Sequence, residues 1–464
     1  MKHFAQQEKD FGQGSVCANI LRLAVPMTLA QLINVLYNVV DRIYIGHIPN
    51  TSTDALTGIG LTLPVITIIT AFANLFGMGG APLFSIARGA KEPEKAGLIM
   101  GNSFSMLLLS GSILSVSCYI FKKPLLFLFG ASDVTYPYAS AYTSLYLLGT
   151  LFVMISLGMN NFINAQGFGI TGMLTVSIGA VLNLILDPVF IFAFGMGIRG
   201  AAVATIISQG FSALWVLRFL TKSKTPVRLS VQTMALKPDL IKEITALGLS
   251  GFVMSITNSA VQIICNATLQ RYGGDLYIGI MTVINSVREI TTIPVTGLAN
   301  GSQPVISFNY GARKYDRVKS AIKLTAAFSI VFTFITWALI FFFPHFIIRL
   351  FSSESSLLKE GIPALHLYFF GIFMMALQFS GQSAFVALGR SKHAIFFSLL
   401  RKAIIVIPLT LCLPAIAGLG TTGVFLAEPI SNCIGGTACF TTMIITVWHQ
   451  LNKEEENEKN ADNS

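Results

Sequence analysis

Apolar runs long enough to cross roughly 30 Å of hydrocarbon, about 20 residues each at helical rise, recur along the whole chain with short polar breaks between them. A chain built this way has lipid as its solvent. Charge content agrees. Of 464 residues 53% are hydrophobic and 11% charged, where a soluble domain carries about 25% charged residues. The chain reads as an integral membrane protein, and nothing outside the runs is large enough to fold as a soluble domain.

The breaks define twelve spans, with Gly and Pro blurring their edges. Six run near 16–45, 55–80, 97–121, 136–165, 170–194 and 199–220. Six more run near 240–269, 278–308, 320–344, 360–388, 393–416 and 422–449. The expectation is an all-α membrane protein of two pseudo-symmetric six-helix bundles, 1–220 and 240–450, joined by a basic linker at 221–239. The tail 451–464 is charged and lacks apolar side chains larger than Ala from Asn452 onward, so it is expected to be disordered.

Lysine and arginine are retained on the cytoplasmic side in short loops. Arg88, Lys91 and Lys95 follow span 2, and Arg218, Lys222, Lys224, Arg228 and Lys237 follow span 6. Arg313, Lys314, Arg317 and Lys319 follow span 8, and Arg390 and Lys392 follow span 10. Loops after odd-numbered spans are poorer in both, which places both termini in the cytoplasm. The net charge of +10 is then a topology signal with anionic lipid as its partner, and nucleic acid is not expected. The six cysteines lack metal-ligand spacing and read as free buried thiols. No removable signal peptide is apparent, since the first apolar run is too long for one.

The halves repeat. Pro82, Gly89 and Ala90 lie 222 residues before Pro304, Gly311 and Ala312, and Gly195, Gly197 and Gly200 lie 223 before Gly418, Gly420 and Gly423. Such repeats mark secondary transporters, in which two halves rock for alternating access.

Carboxylates within the spans stand out against this background. An Asp at membrane depth costs about 2.5–3.5 kcal/mol on insertion scales, so it must face protein or water. In "QLINVLYNVVDRIYIG", Asn34, Asn38 and Asp41 fall at i, i+4 and i+7, with Tyr37 four residues before Asp41. They form one polar stripe. The plainer alternative is an interfacial Asp41–Arg42 pair, which the ~100° between adjacent helical residues weakens. In "VLNLILDPVFIF", Asn183 and Asp187 share a face and Pro188 removes a backbone donor. Asp187 is either an N-cap before a Pro-initiated segment or part of a broken helix lining a cavity, and the two are compatible.

With twelve spans, paired "GxxPxxxxxxGA" segments and "P...N..Y...D" in span 1 (Pro26, Asn34, Tyr37, Asp41), the chain resembles the multidrug and toxic compound extrusion (MATE) family. The likeness is to its bacterial DinF-like and MepA-like branch. The resemblance implies efflux of lipophilic cationic or amphipathic small molecules against protons or sodium, by a monomer in the bacterial cytoplasmic (inner) membrane. It implies Asp41, Asn183, Asp187 and Thr205 as the proton or cation site, with sodium, if used, held by these four. Asn34, Tyr37, Asn160 and Gln166 are the expected substrate contacts, although the asparagines of span 4 serve equally as interhelical hydrogen bonders. Gln166 stands where some relatives have Glu, which leaves the number of protons open. Pro26, fifteen residues before Asp41, is implied as the hinge of a helix that bends as its Asp changes charge.

Sodium-coupled NorM-like relatives carry two carboxylates in the second half, where this chain has Asn258 and Gln378, so a site of that type is not expected. Glu289 and Glu428 remain orphan acids. Arg401 and Lys402 are expected to snorkel to the inner boundary. A flippase for a lipid-linked precursor shares the superfamily, and Arg288, Arg401 and Lys402 gathered around a cavity would favour it. The six histidines are scattered and HExxH is absent, so neither an enzyme nor a cofactor is expected.

Overall fold

The computed structural model describes residues 10–48, 52–222, 225–351, 354–416 and 418–462, and among them helix is the only regular secondary structure. In hydrocarbon no water satisfies backbone N–H and C=O groups, and a helix satisfies them within each segment. Helices α1 (Val16–Gly46), α2 (Ser52–Gly89) and α3 (Pro93–Ile120) come first. The next, α4, is a pair, Tyr136–Leu148 and Thr150–Ala165, bent by 57°. The first half closes with α5 (Gly169–Ala193) and α6 (Ile198–Leu220). One helical run of 74 residues, Pro238–Gly311, follows; at 1.5 Å per residue it far exceeds a bilayer, and Gly274 (φ 69, ψ −164) divides it into α7 (238–273) and α8 (275–311). Then come α9 (Tyr315–Phe342), α10 (Ser355–Ala387), α11 (Ser391–Ala415) and α12 (Gly420–Glu458). These are the twelve expected spans.

The chain divides into two compact units, but not at the expected linker. The first holds Val25–Gly248, whereas Phe11–Ala24 belongs with Leu249–Ser464 in the second. Helix α1 therefore starts in one unit and continues in the other, and the boundary falls one residue from Pro26.

In the first unit α2 packs against α3 and α4. Helix α2 meets α4 at Gly77 and Gly158, where a Cβ on Gly77 would lie 2.6 Å from the Gly158 carbonyl oxygen. Close backbone approach at small residues is how helices associate when lipid is as apolar as their side chains. The basic linker is strapped to this unit: the Lys237 N–H donates to Asn102 Oδ1 at 2.7 Å, and Ser105 Oγ donates to the Met234 carbonyl at 2.7 Å.

In the second unit α10 packs against α9 and α12. Arg317 donates to the carbonyls of Phe11 (2.9 Å) and Gly14 (2.8 Å), and Lys314 to that of Gly12 (2.8 Å). Two of the residues counted in the lysine and arginine bias thus anchor the segment entering α1. The tail corrects an expectation. Instead of being disordered it continues as helix from His449 to Asp462, with Leu451 buried. Glu455 pairs with Lys319, Gln450 with Arg390, and Lys323 sits 5.1 Å over the Trp448 ring. Low apolar content argued for disorder, but tertiary charge partners supply the contacts that composition lacks.

The repeat is visible in the backbone. Lys91 (φ 60) and Arg313 (φ 57), 222 residues apart, are the non-glycine residues at positive φ among the described residues. The Gly195–Gly418 pair (φ 64 and 69) and the Gly197–Gly420 pair (φ 54 and 50) match as closely. All six cysteines are free, but only Cys118, Cys265 and Cys439 are buried as expected; Cys412 is exposed and Cys17 and Cys433 are half-buried. Leu36, Val39 and Ile43 of α1 are exposed, as suits side chains facing lipid.

Candidate cation and substrate site

Asp41 and Asp187 are buried, at 8% and 0% exposure, and α1 and α5 bring their carboxyl groups within hydrogen-bonding reach of each other. An ionised carboxylate only accepts hydrogen bonds, so two of them in contact need a proton or a cation between them. Consistently, Asp41 Oδ1 and both Asp187 oxygens lack a well-formed hydrogen bond among the described residues, although Asn183 lies close to Asp187. No Asp41–Arg42 salt bridge forms among the described residues, and Arg42 is exposed.

Pro188 does not break α5 as expected. It keeps helical angles (φ −62, ψ −31) and leads into a π-helical turn over Val189–Ala193. The missing N–H is accommodated by widening the turn, a distortion common at functional sites. Asp187 is therefore not an N-cap; it sits in the last α-helical turn.

Asn183 Nδ2 donates to Thr205 Oγ1 at 3.3 Å, and Thr205 donates to the Ala201 carbonyl at 2.9 Å. Asn183 Oδ1 is left without a donor. The four residues expected as the coupling site thus gather in one place, and their unpaired oxygens suit a proton or a hard monovalent cation. Tyr37 also approaches Thr205. Tyr142 of α4 does the same and stacks on Tyr146 with centroids 6.0 Å apart. The sequence reading missed these two tyrosines, although their four-residue spacing in "YPYASAYTSLYLL" puts both hydroxyls on one face.

Beside this cluster lies a cavity of about 60 Å³ walled by Asn34, Tyr37, Asn183 and Thr205, with Ser156 and Gln209. Asn160 and Gln166, the other two expected substrate contacts, lie elsewhere. Asn160 Nδ2 donates to the Gly172 carbonyl at 3.1 Å, joining α4 to α5. Gln166, fully buried, accepts the linker N–H of Val227 at 3.3 Å. Both are interhelical or linker fasteners, since amides at helix ends are taken up by backbone groups nearby.

The second unit contains a cluster that the sequence reading placed wrongly. Lys402 and Arg401 do not snorkel; they are 1% and 8% exposed, on a π-helical segment Leu400–Val406 of α11. Lys402 Nζ donates to both oxygens of Glu428 at 2.8 and 3.0 Å. Arg401 lies 3.8 Å from Glu428 and donates to Asn432 Oδ1 at 2.7 Å. Lys402, Glu428 and Arg288 share the wall of a small cavity of about 20 Å³ with Asn258, Asn285 and Tyr368. Gln378 is not part of it and donates to the Phe397 carbonyl. Glu289 is exposed and forms no salt bridge among the described residues. The signal missed was register: 428 is 205 shifted by 223, so Glu428 occupies the repeat position of a residue already assigned to the first site.

Known proteins resemble this one from end to end. The MatE family profile matches residues 26–189 and 252–412. Multidrug export protein MepA of Staphylococcus haemolyticus (strain JCSC1435) is 25% identical over 443 residues, 96% of each chain. Its namesake in Staphylococcus aureus (strain NCTC 8325 / PS 47) is 26% identical over 424 residues, 91% of this chain and 92% of the relative. A crystal structure of MATE in the bent conformation superposes with a TM-score of 0.90 at 21% identity, covering 97% of this chain and 99% of the other.

Proposed function

Because the chain belongs to the MatE family, we propose that it exports lipophilic cationic or amphipathic small molecules from a bacterial cell by antiport against protons or sodium. The observation that carries this reading is the buried Asp41–Asp187 pair with its unpaired oxygens, beside a small polar cavity walled by Asn34, Tyr37, Asn183 and Thr205. The names of the relatives, which are multidrug exporters, support it.

The residues suggest the cycle. A proton or sodium ion arriving between the two carboxylates cancels their repulsion and engages the free oxygens of Asn183 and Asp187. Its departure restores negative charge near Asn34 and Tyr37, where a cationic substrate is attracted through the field and the tyrosine ring. Ion and substrate cation thus exclude each other, which is what antiport requires. Pro26 leaves the carbonyl of Arg22 without its helical donor, a weak point in α1 at the unit boundary, through which charge at Asp41 can be converted into bending and alternating access. The lysine and arginine bias supports a cytoplasmic side for both termini.

Counterflow of a fluorescent lipophilic cation in proteoliposomes, with proton and sodium gradients imposed separately, tests the proposal. Uphill movement under either gradient supports it and names the ion; movement under neither refutes it. The second reading, a flippase for a lipid-linked precursor, is favoured by one observation, the basic residues at the cavity of the second unit.

A further inference from the structure

We propose that the cavity of the second unit is an oxyanion-binding site, with Arg288 as its principal ligand and Lys402 beside it. Arg288, Arg401 and Lys402 supply three positive charges at the cavity against one buried negative charge, Glu428, with the exposed Glu289 beside Arg288 as the other acid acting on it. Two of the cations are accounted for. Lys402 is held by both Glu428 oxygens. Arg401 is held by Asn432 and Glu428, and its carbonyl accepts from Ser431 at 2.8 Å.

Arg288 is different. It is half-buried on α8, lines the cavity, and makes no hydrogen bond or salt bridge among the described residues. Tyr368, Glu428 and Glu289 lie close enough to act on its charge, but its N–H donors are left for a ligand, and its planar fork matches carboxylate and phosphate. The rest of the wall suits the same ligand. Asn258, Asn285 and Tyr368 can each donate a hydrogen bond to an anion. A lipophilic cation would instead be repelled.

The position supports a binding role. Thr205, Ser208 and Gln209 wall the first cavity; shifted by 223 they become Glu428, Ser431 and Asn432, the residues that hold the basic cluster. The two units therefore carry polar clusters at matching places in the repeat, acidic in the first and basic in the second. The oxyanion is either the carboxylate of a zwitterionic cargo or the phosphate of a lipid headgroup. In the first case the inference deepens the export reading, on which it then rests, by adding a second charge to the substrate.

The test uses the purified full-length protein in neutral detergent with no gradient, so its failure leaves coupling at Asp41 and Asp187 untouched. The probes are a fluorescent aromatic amine bearing a free carboxylate, its methyl ester, and short-chain phosphatidylglycerol followed by native mass spectrometry. Acid bound about tenfold more tightly than ester, with the preference abolished by Arg288→Gln and partly kept by Arg288→Lys, assigns the site to a cargo carboxylate. Acid and ester bound alike, with a phosphatidylglycerol adduct lost in Arg288→Gln, assigns it to a headgroup phosphate. Neither a preference nor an Arg288-dependent adduct overturns the proposal. Tyr368→Phe, which removes only a hydroxyl, should reduce the same discrimination and serves if the Arg288 variants fail to fold.

Discussion

Glu428→Gln should destabilise the second unit severely, and the structure indicates by how much. The substitution keeps the shape and removes the charge that accepts two bonds from Lys402 at 2.8 and 3.0 Å and faces Arg401 at 3.8 Å. Lys402, 1% exposed, is then left as a buried ammonium beside two guanidinium groups with no anion near it. Breaking a buried pair from one side costs about 3–5 kcal/mol, because the surviving charge stays desolvated. Against a total stability of about 5–15 kcal/mol that is a large share. For a unit of roughly 200 residues it corresponds to a fall in Tm of about 6–20 °C.

Thermal unfolding in detergent, followed by a thiol-reactive fluorophore in a background with the other four cysteines replaced by serine, so that only Cys265 and Cys439, buried in this unit, report, measures it. Lys402→Met combined with Glu428→Leu removes both charges and fills the volume, so it should recover most of the loss, as replacing a buried ion pair by apolar residues is often near neutral. A shift of only a degree or two in Glu428→Gln, or a double variant as damaged as the sum of its singles, would refute the view that Glu428 holds this cluster together.

Asp41→Asn should abolish gradient-driven efflux while leaving membrane insertion and folding intact, since the amide keeps the shape but releases no proton; full resistance conferred by the variant would remove Asp41 from the coupling site. Asp187→Asn and Asn183→Ala should impair transport non-additively with Asp41→Asn, because the three share one cluster, and strictly additive effects in double-mutant cycles would separate them. A lipophilic cation should bind the purified protein more weakly as pH falls from about 8 to 6, since protons compete for the carboxylates that attract it, and Asp41→Asn should flatten the slope; pH-independent binding in the parent contradicts proton coupling. Pro26→Ala should slow turnover and keep the pH dependence of binding, because it restores a helical donor without altering any charge, and stopped-flow efflux from liposomes compares the two rates.

The spans were legible in the sequence because their cause is local. Each needs only enough consecutive apolar residues to cross hydrocarbon, and the break at Gly274 falls where glycine permits positive φ, whereas the 57° bend inside the span read as 136–165 was not legible. The duplication was legible as well, since a turn that demands positive φ at Lys91 demands it again at Arg313. The acidic site could be approached through the cost of placing Asp41 and Asp187 in lipid, which leaves few explanations other than a protein-lined pocket.

What only the tertiary structure decided is which polar groups meet. Asn160 and Gln166 have the same chemistry as Asn34 and Asn183, yet they fasten helices and linker because of where α4 ends. Composition made the tail look disordered, until Lys319 and Arg390 were found beside it. Lys402 and Arg401 have stems long enough to snorkel, and the sequence alone could not show that Glu428, one helix away, holds them inside. The reason is the same in each case. A polar side chain's free energy depends on a partner that is usually distant along the chain, whereas an apolar helix in lipid depends on little beyond its own length and composition.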